Sequence, residues 1–468
     1  MKRQLFIITL CLISLSGCSV LNIKQSRESE NNDELGEQSG RREFVPPPPL
    51  PSEAESAASR IAKRYKALAV TDRIDYGIQI NDVVELNGKL YLILNGSTYC
   101  NELWEFDGDN SLNKLIGVSD FEAMEAQGQS ELKFDTGDEY GNHVRGISSL
   151  AVADNKLYFS FSNGRISNRL FQYSFTEGPL VIDGVTKVNH LTTWENYGLV
   201  FSAVADNNVE GLFAADENGS LKFLVECNPF YPNFIRDGIP YGRAHTLPVI
   251  DGNLCITVHG CPYILKQNGG YKSWDFPERF RVGRWAKIEN GVFLVENLYG
   301  TFLRIENDCR TIKNEQSLPE YMQVYKISDD LKSIGNTVYF NAKSKSFESK
   351  VLYYKNENVF GDVTEAFAEN DIEVRDLVAS FQGNLIIGKF LKIKGMIRSV
   401  LQRFNPETQE LEDITFLDKP MEINRNNVTF KYKAHLYFVG SNTEYKNCLW
   451  RYDGKNDPEL IEFKNVSE

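Results

Sequence analysis

The sequence predicts an all-β fold, an eight-bladed β-propeller of four-stranded antiparallel blades, and two observations carry that prediction. Leu90-Tyr91-Leu92 is followed by Leu103-Trp104-Glu105-Phe106-Asp107-Gly108, and Leu436-Tyr437-Phe438 by Leu449-Trp450-Arg451-Tyr452-Asp453-Gly454, with 13 residues between the leading leucines in both copies. Positions corresponding to Leu90 recur at Leu157, Leu199, Leu254, Val292, Val338, Leu385 and Leu436, eight anchors at an average spacing of about 49 residues. A fixed period of this length marks a repeat architecture in which neighbouring units bury each other's faces.

Each unit is expected to contain four short strands. Turn pairs precede most anchors, as in Asn87-Gly88, Asp154-Asn155, Asp251-Gly252, Asn290-Gly291 and Gln382-Gly383, and join an earlier alternating strand to the anchor strand. In the first unit the strands are predicted at 79–85, 89–95, 102–106 and 113–117. The third strand restarts 13 residues after the anchor at Leu103, Leu170, Leu212, Val351 and Leu449, while units four, five and seven depart from that spacing. Trp104, Phe171, Phe213 and Trp450 are expected to wedge between blades, and Asp107-Gly108 and Asp453-Gly454 to form the turn after the third strand. Period-two patterning excludes a helical solenoid, and a pair of β-sandwiches is the competing all-β architecture.

The chain before the repeats divides into three parts. Lys2 and Arg3 precede an apolar run from Leu5 to Leu15 that is too short to span a bilayer, the pattern of a secretory signal occupying residues 1–17. It ends in Leu15-Ser16-Gly17-Cys18, which resembles the bacterial lipobox. That resemblance implies cleavage before Cys18, acylation of its thiol and, because Ser19 stands where inner-membrane lipoproteins carry Asp, anchoring in the outer membrane. Residues 18–51 are polar and contain Pro46-Pro47-Pro48-Pro49, a composition expected of an extended flexible tether. Ser52-Glu53-Ala54-Glu55 matches a capping box and opens a predicted short helix over 52–69, leaving 70–468 for the propeller.

Composition narrows the function classes. A net charge of −13 argues against nucleic acid as a partner. Of the eight cysteines, Cys11 leaves with the signal and Cys18 takes lipid; the remaining six allow 15 pairings in an oxidising compartment. Cys100 and Cys448 sit beside the first and last Leu-Trp motifs and are a candidate disulfide across ring closure, with two separate thiols as the alternative. The longest interval between anchors, 67 residues from Leu90 to Leu157, contains an acidic insertion near 117–142 that is expected to be a long loop.

Basic residues gather before the anchors. Arg145, Arg243, Arg281, Lys326, Arg375 and Arg425 lie 10 to 12 residues ahead of them, and His143, His190 and His245 fall in the same zone. First strands of propeller blades line the central channel, so these residues form a candidate anion-binding funnel for an acidic glycan, guanidinium being suited to carboxylate or sulfate. Local pairing with acids, such as Glu373 or Asp376 beside Arg375, is the structural alternative. The histidines stand 14, 9 and 9 residues before their anchors, an uneven register for a zinc site, and no metal or cofactor is expected. Asp107 begins a calcium-like phrase whose twelfth position is Val118, which lacks the required carboxylate.

No catalytic signature accompanies these residues. A lipid-anchored binding or scaffolding module for an envelope protein or a surface polymer is therefore the primary expectation, and a glycan hydrolase or lyase the alternative. The overall plan resembles the propeller lipoprotein of the barrel-assembly machinery in architecture alone. Its repeat phrases do not recur here, so no residue roles are carried over.

Overall fold

In the computed structural model the described residues are 78–95, 100–127, 145–162, 168–194, 197–207, 209–226, 249–250, 253–258, 261–265, 271–273, 282–296, 302–306, 312–315, 325–344, 349–355, 359–363, 373–393, 396–423, 427–442, 445–463 and 465–467. The signal, Cys18, the tether and the predicted helix over 52–69 lie outside them.

The described chain is almost entirely antiparallel β-sheet, its strands falling in eight successive sets of four; the first two sets join in one nine-stranded sheet, the last two in another, and the four between are separate four-stranded sheets. Strands Ile80–Leu86, Lys89–Asn95, Cys100–Phe106 and Ser111–Ile116 make the first unit, close to the predicted limits. Phe430–Tyr432, His435–Ser441, Cys448–Tyr452 and Glu459–Leu460 make the last. Every anchor occupies the second position of the second strand in its unit, and all eight are buried.

Register explains why the 13-residue spacing holds in some units and fails in others. Leu90 pairs with Phe106, Leu157 with Tyr173, Leu199 with Ala215, Val338 with Tyr354 and Leu436 with Tyr452, each sixteen residues on. In units four, five and seven the pairs are Leu254 with Leu265, Val292 with Ile305 and Leu385 with Phe404, so their second hairpins are shorter or longer. The anchor strand keeps its place while the hairpin beyond it varies, as expected where one end of a strand packs in a core and the other meets solvent.

Apolar faces pair unit against unit. Trp104 and Trp450 are fully buried in one cluster that joins the first and last units, with Leu92, Phe106, Leu436 and Phe438. Phe171 lies in the cluster between units one and two, and Phe213 in that between two and three, so the predicted wedge residues do pack between sheets.

A polar device recurs beside these aromatics. Asn101, Asn168 and Asn447 each stand two residues before the leucine of the Leu-aromatic motif. Asn101 donates its side-chain N–H to the Ile147 carbonyl, while the main-chain carbonyls of Asn168 and Asn447 accept from the N–H groups of Val188 and Ile78. In each case the partner belongs to the first strand of the adjoining unit or its approach, and satisfying these main-chain groups lets the sheets meet without an orphaned donor.

The first and last units meet in several ways. Val428 N–H donates to the Ile80 carbonyl at 2.9 Å, and Ile80 N–H to Asn427 Oδ1 at 2.6 Å. Tyr437 donates its hydroxyl to the Gly108 carbonyl at 2.6 Å, and Tyr432 its hydroxyl to that of Gly88. Arg451 bonds Asp109 at 3.0 Å, and the terminal strand Asn465–Ser467 runs parallel to Ser111–Ile116. The Asp-Gly turns therefore have a second role besides chain reversal. Asp107 Oδ1 accepts from the N–H groups of Asp109, Asn110 and Ser111, while Gly108 sits at φ +85° with Tyr432 so close that a Cβ would lie 2.3 Å from its ring.

The acidic insertion departs from expectation. Its first ten residues form a helix, α1 (Val118–Gln127), whose Phe121 and Met124 point into the core between units one and two. Asp120 accepts from the Gly117 N–H at 2.7 Å, capping the first turn. Two apolar residues at i and i+3 were the legible sign of a packed helix inside an otherwise acidic stretch.

Glycine substitutions separate backbone strain from crowding. Gly88 also has a positive φ, +73°, but nothing lies within 4 Å of its would-be Cβ. Gly88→Ala is expected to cost about 1 kcal/mol from left-handed strain alone. Gly108→Ala should cost about 2–4 kcal/mol, since collision with Tyr432 is added to that strain. Denaturant midpoints at constant m-value measure both, and equal losses would contradict the seam packing.

Candidate functional site

First strands lie beside first strands in successive units, as at units one and two, two and three, five and six, and six and seven. Six of the eight are irregular in register, the third and seventh at two places. Ile80 and Asp82 pair with adjacent residues Leu94 and Ile93, leaving Asn81 as an extra residue. The same happens at Ser148 between Ile147 and Ser149, at Gly283 between Val282 and Arg284, and at Arg375 between Val374 and Asp376. In the third unit one extra residue falls between Asn189 and Thr192 and another between Thr186 and Asn189, and in the sixth two extra residues fall between Ile327 and Leu331. A bulge bends its strand and re-aims a side chain out of the pleat, and bulges recur next to binding and catalytic sites.

In the first, second and fifth units the extra residue stands nine residues before the anchor, and in the seventh, where a second irregularity follows between Leu377 and Ala379, ten. Reading nine back from all eight anchors gives Asn81, Ser148, His190, His245, Gly283, Asp329, Asp376 and Asn427, polar or glycine throughout. That uniform row was available in the sequence as a break in period-two alternation. The basic residues stand ten to twelve before their anchors, and Arg375 among them coincides with a bulge.

Among the expected funnel residues, Arg145 is the first residue of its strand and pairs in parallel with Cys100. Gly146 follows it at φ +117°, where a Cβ would collide with the Asn101 carbonyl at 2.3 Å, so glycine permits the two strands to approach. Arg375 is the bulged residue of the seventh unit. His190 is half-buried at φ +54°, an uncommon conformation for a residue with a Cβ. His143, Arg243, His245, Arg281 and Arg425 lie outside the described residues. Among the described residues no three His, Cys, Asp or Glu side chains come together as a metal site.

Cys100 and Cys448 are both buried thiols rather than a disulfide. Cys100 belongs to the apolar cluster between units one and two, Cys448 to the one joining the last and first. The two thiols thus belong to different apolar clusters, on either face of the first sheet.

Polar groups concentrate around the first two bulges. Ser148 and Ser149 both bond the buried Ser160 hydroxyl, at 2.7 and 2.9 Å. Asp82 is buried and accepts from the Leu150 N–H of the next unit at 2.9 Å and from Val83 N–H at 2.8 Å. Burial pushes its carboxyl up to about 7, and the two backbone N–H bonds oppose that shift without cancelling it.

Fold and site together define a repeat-built, all-β protein whose adjacent first strands carry recurring bulges. No family model and no curated protein matches the sequence. Solved structures of similar arrangement include a post-proline cleaving enzyme from Rickettsia typhi, 11% identical with a TM-score of 0.46, covering 84% of this chain and 62% of that one. A dipeptidyl peptidase 4 from Porphyromonas gingivalis is 11% identical with a TM-score of 0.43, covering 78% and 58%. A puromycin-hydrolyzing peptidase from Mycobacterium tuberculosis is 9% identical with a TM-score of 0.42, covering 86% and 55%. This chain thus spans little more than half the length of such enzymes, and likenesses this distant say nothing of activity or substrate.

Asp82 makes stability depend on pH. Its folded-state value lies above the ordinary 3.8, so the folded chain holds a proton that the unfolded chain has lost, and stability falls as pH rises from about 4 to about 7. Asp82→Asn should remove that part of the pH dependence, on the order of 4 kcal/mol across the window. Denaturant midpoints of both proteins at pH 5 and pH 8 measure it, and parallel slopes would contradict the burial of the carboxyl.

Proposed function

We propose that this chain is a lipid-anchored binding module of the bacterial outer membrane, an eight-bladed propeller tethered through Cys18 that engages an envelope protein or a surface polymer at its first-strand bulges. One observation carries this reading. The bulge recurs at the same register in units of quite different hairpin length, so it is kept where the rest of the repeat varies. Side-by-side first strands and the contacts between first and last units support a ring with these bulges facing a central channel. Arg145, His190 and Arg375 would then be the polar contacts of its mouth, joined by Arg243, Arg281, Arg425, His143 and His245. The lipobox-like phrase and the tether support a membrane anchor that raises the local concentration of the module near its partner.

A glycan-active enzyme gains one point from Asp82, a carboxyl titrating near neutrality beside a bulge. Both of its oxygens are already taken by backbone N–H groups, one of them from the neighbouring unit. That assigns Asp82 to the scaffold and favours the binding reading.

Crosslinking of the full chain in cells, followed by mass spectrometry, tests the proposal. A reproducible envelope protein or polymer should be captured, and Arg375→Glu combined with Arg145→Glu should reduce its recovery about tenfold or more. Cys18→Ala should abolish incorporation of labelled palmitate and move the chain to the soluble fraction. Undiminished capture by the double variant, or membrane retention without lipid, would overturn the corresponding part.

A further inference from the structure

The junction of the second and third units opens toward solvent at its fourth strands. Across the third unit Phe201, Phe213 and Phe223 pair in one row, with ring centroids 6.2 and 5.4 Å apart, and their exposures are 0, 4 and 46%. Across the second, Tyr158, Gln172 and Leu180 pair in a row that begins at 0% and ends at 38%. Tyr158, Phe201 and Phe213 share the cluster between these units, so both rows sit on the faces that the two sheets turn toward each other. Tyr158 and Phe201 stand one and two residues after their anchors, which puts the rows at nearly the same level. Leu180 and Ile182 therefore wall one side of an apolar groove, Leu221 and Phe223 the other, and Phe213 floors it. Its rims are the strands Gly178–Ile182 and Leu221–Glu226, neither of which pairs on its other edge among the described residues. Two other junctions are covered by the chain itself. Helix α1 lays Phe121 and Met124 between units one and two, and the terminal strand Asn465–Ser467 pairs alongside Ser111–Ile116, where Leu112 is 1% exposed.

We propose that this groove docks an extended segment of a partner protein, with apolar side chains at alternate positions and a lysine or arginine beside them. The proposal goes beyond the binding reading above and depends on neither the first-strand bulges nor the anchor. Two unpaired strand edges offer main-chain N–H and C=O groups that an extended chain can bond; a helix, whose own groups are already paired, cannot. Leu180 with Ile182, and Leu221 with Phe223, repeat at every second residue, the period of side chains on one face of a strand. The fourth strand of unit one already accepts an extended segment in this manner, from the end of this same chain. Charge sets the remaining requirement. The exposed carboxylates of Asp154, Asp216 and Glu217 gather where the turn before Leu221 meets the second unit, and their field adds to burial in pushing the Tyr158 hydroxyl up to about 12. Lys156 reaches this corner but bonds the Glu217 main-chain carbonyl, so the end of the groove is net acidic and suits a cationic side chain.

Selection of displayed random dodecapeptides on the full chain tests this, with counter-selection on the double variant Leu180→Ser, Phe223→Ser. Enriched sequences should carry apolar residues at i and i+2 beside Lys or Arg. A synthetic copy of the leading sequence, followed by fluorescence anisotropy, should bind the double variant about tenfold or more weakly, as losing the burial of a large apolar side chain implies. Asp216→Asn with Glu217→Gln, a second variant that leaves the apolar walls intact, should weaken the same peptide and flatten its salt dependence. Equal affinity for wild type and both variants, enrichment of no peptide, or enrichment of sequences without the alternation overturns the proposal. Self-association of the wild type that the double variant abolishes overturns it as well, and would assign the groove to a second copy of this chain.

Discussion

A four-stranded sheet with two apolar faces cannot stand alone, and in this chain every sheet depends on its neighbours to cover those faces. Trp104 and Trp450, the same position in the first and last units, share a cluster that neither unit could bury by itself. The constraint then passes to the ends of the chain, where an unmatched face would remain exposed unless first and last units meet. Hydrogen bonds from Val428, Ile80 and Ile78, the tyrosine contacts to Gly88 and Gly108, and the terminal strand all serve that meeting. None is large in isolation, and together they make the contact of first and last units a property of paired main-chain groups as well as of apolar area.

Such a scaffold leaves its first strands free to carry polar irregularity. The outer strands secure each hairpin and the aromatic wedges hold unit to unit, so a bulge in the first strand bends only locally. Six units accept one or more extra residues there without losing the anchor register. Asp82 shows the cost of polarity so close to the core, a carboxyl pushed up to about 7 by burial and bonded by the N–H groups of Val83 and of the next unit's Leu150. Asn101 shows the opposite solution, a neutral amide spanning the junction to Ile147.

Much of the scaffold was legible in the sequence because anchors, turns and wedge aromatics are local and repeated. All eight anchors fall at the same place in the second strand, and even the departures at units four, five and seven correspond to real changes in hairpin length. Helix α1 was missed because acidic composition masked the Phe121–Met124 pair. Cys100 and Cys448 are separate buried thiols, the alternative that the sequence left open, because adjacency of units says nothing about which face of a sheet a side chain takes. At the candidate site, charge attracted attention to arginines, whereas the structural signal is a register defect visible only once strands are paired. The asparagine of the Asn-x-Leu-aromatic phrase was visible three times in the sequence, and its meaning required the neighbouring unit.

The account turns on the seam between the first and last units, and native-state hydrogen exchange tests it most directly. Ile78, Ile80 and Val428 donate their amides across that seam, to Asn447, Asn427 and Ile80. A closed seam requires all three to exchange at the free energy of global unfolding, together with amides inside the first sheet such as Leu92. Exchange of the three at least about a hundredfold faster than Leu92, a difference of roughly 2.7 kcal/mol, would mean that the ends part while each sheet stays folded, and would contradict the account.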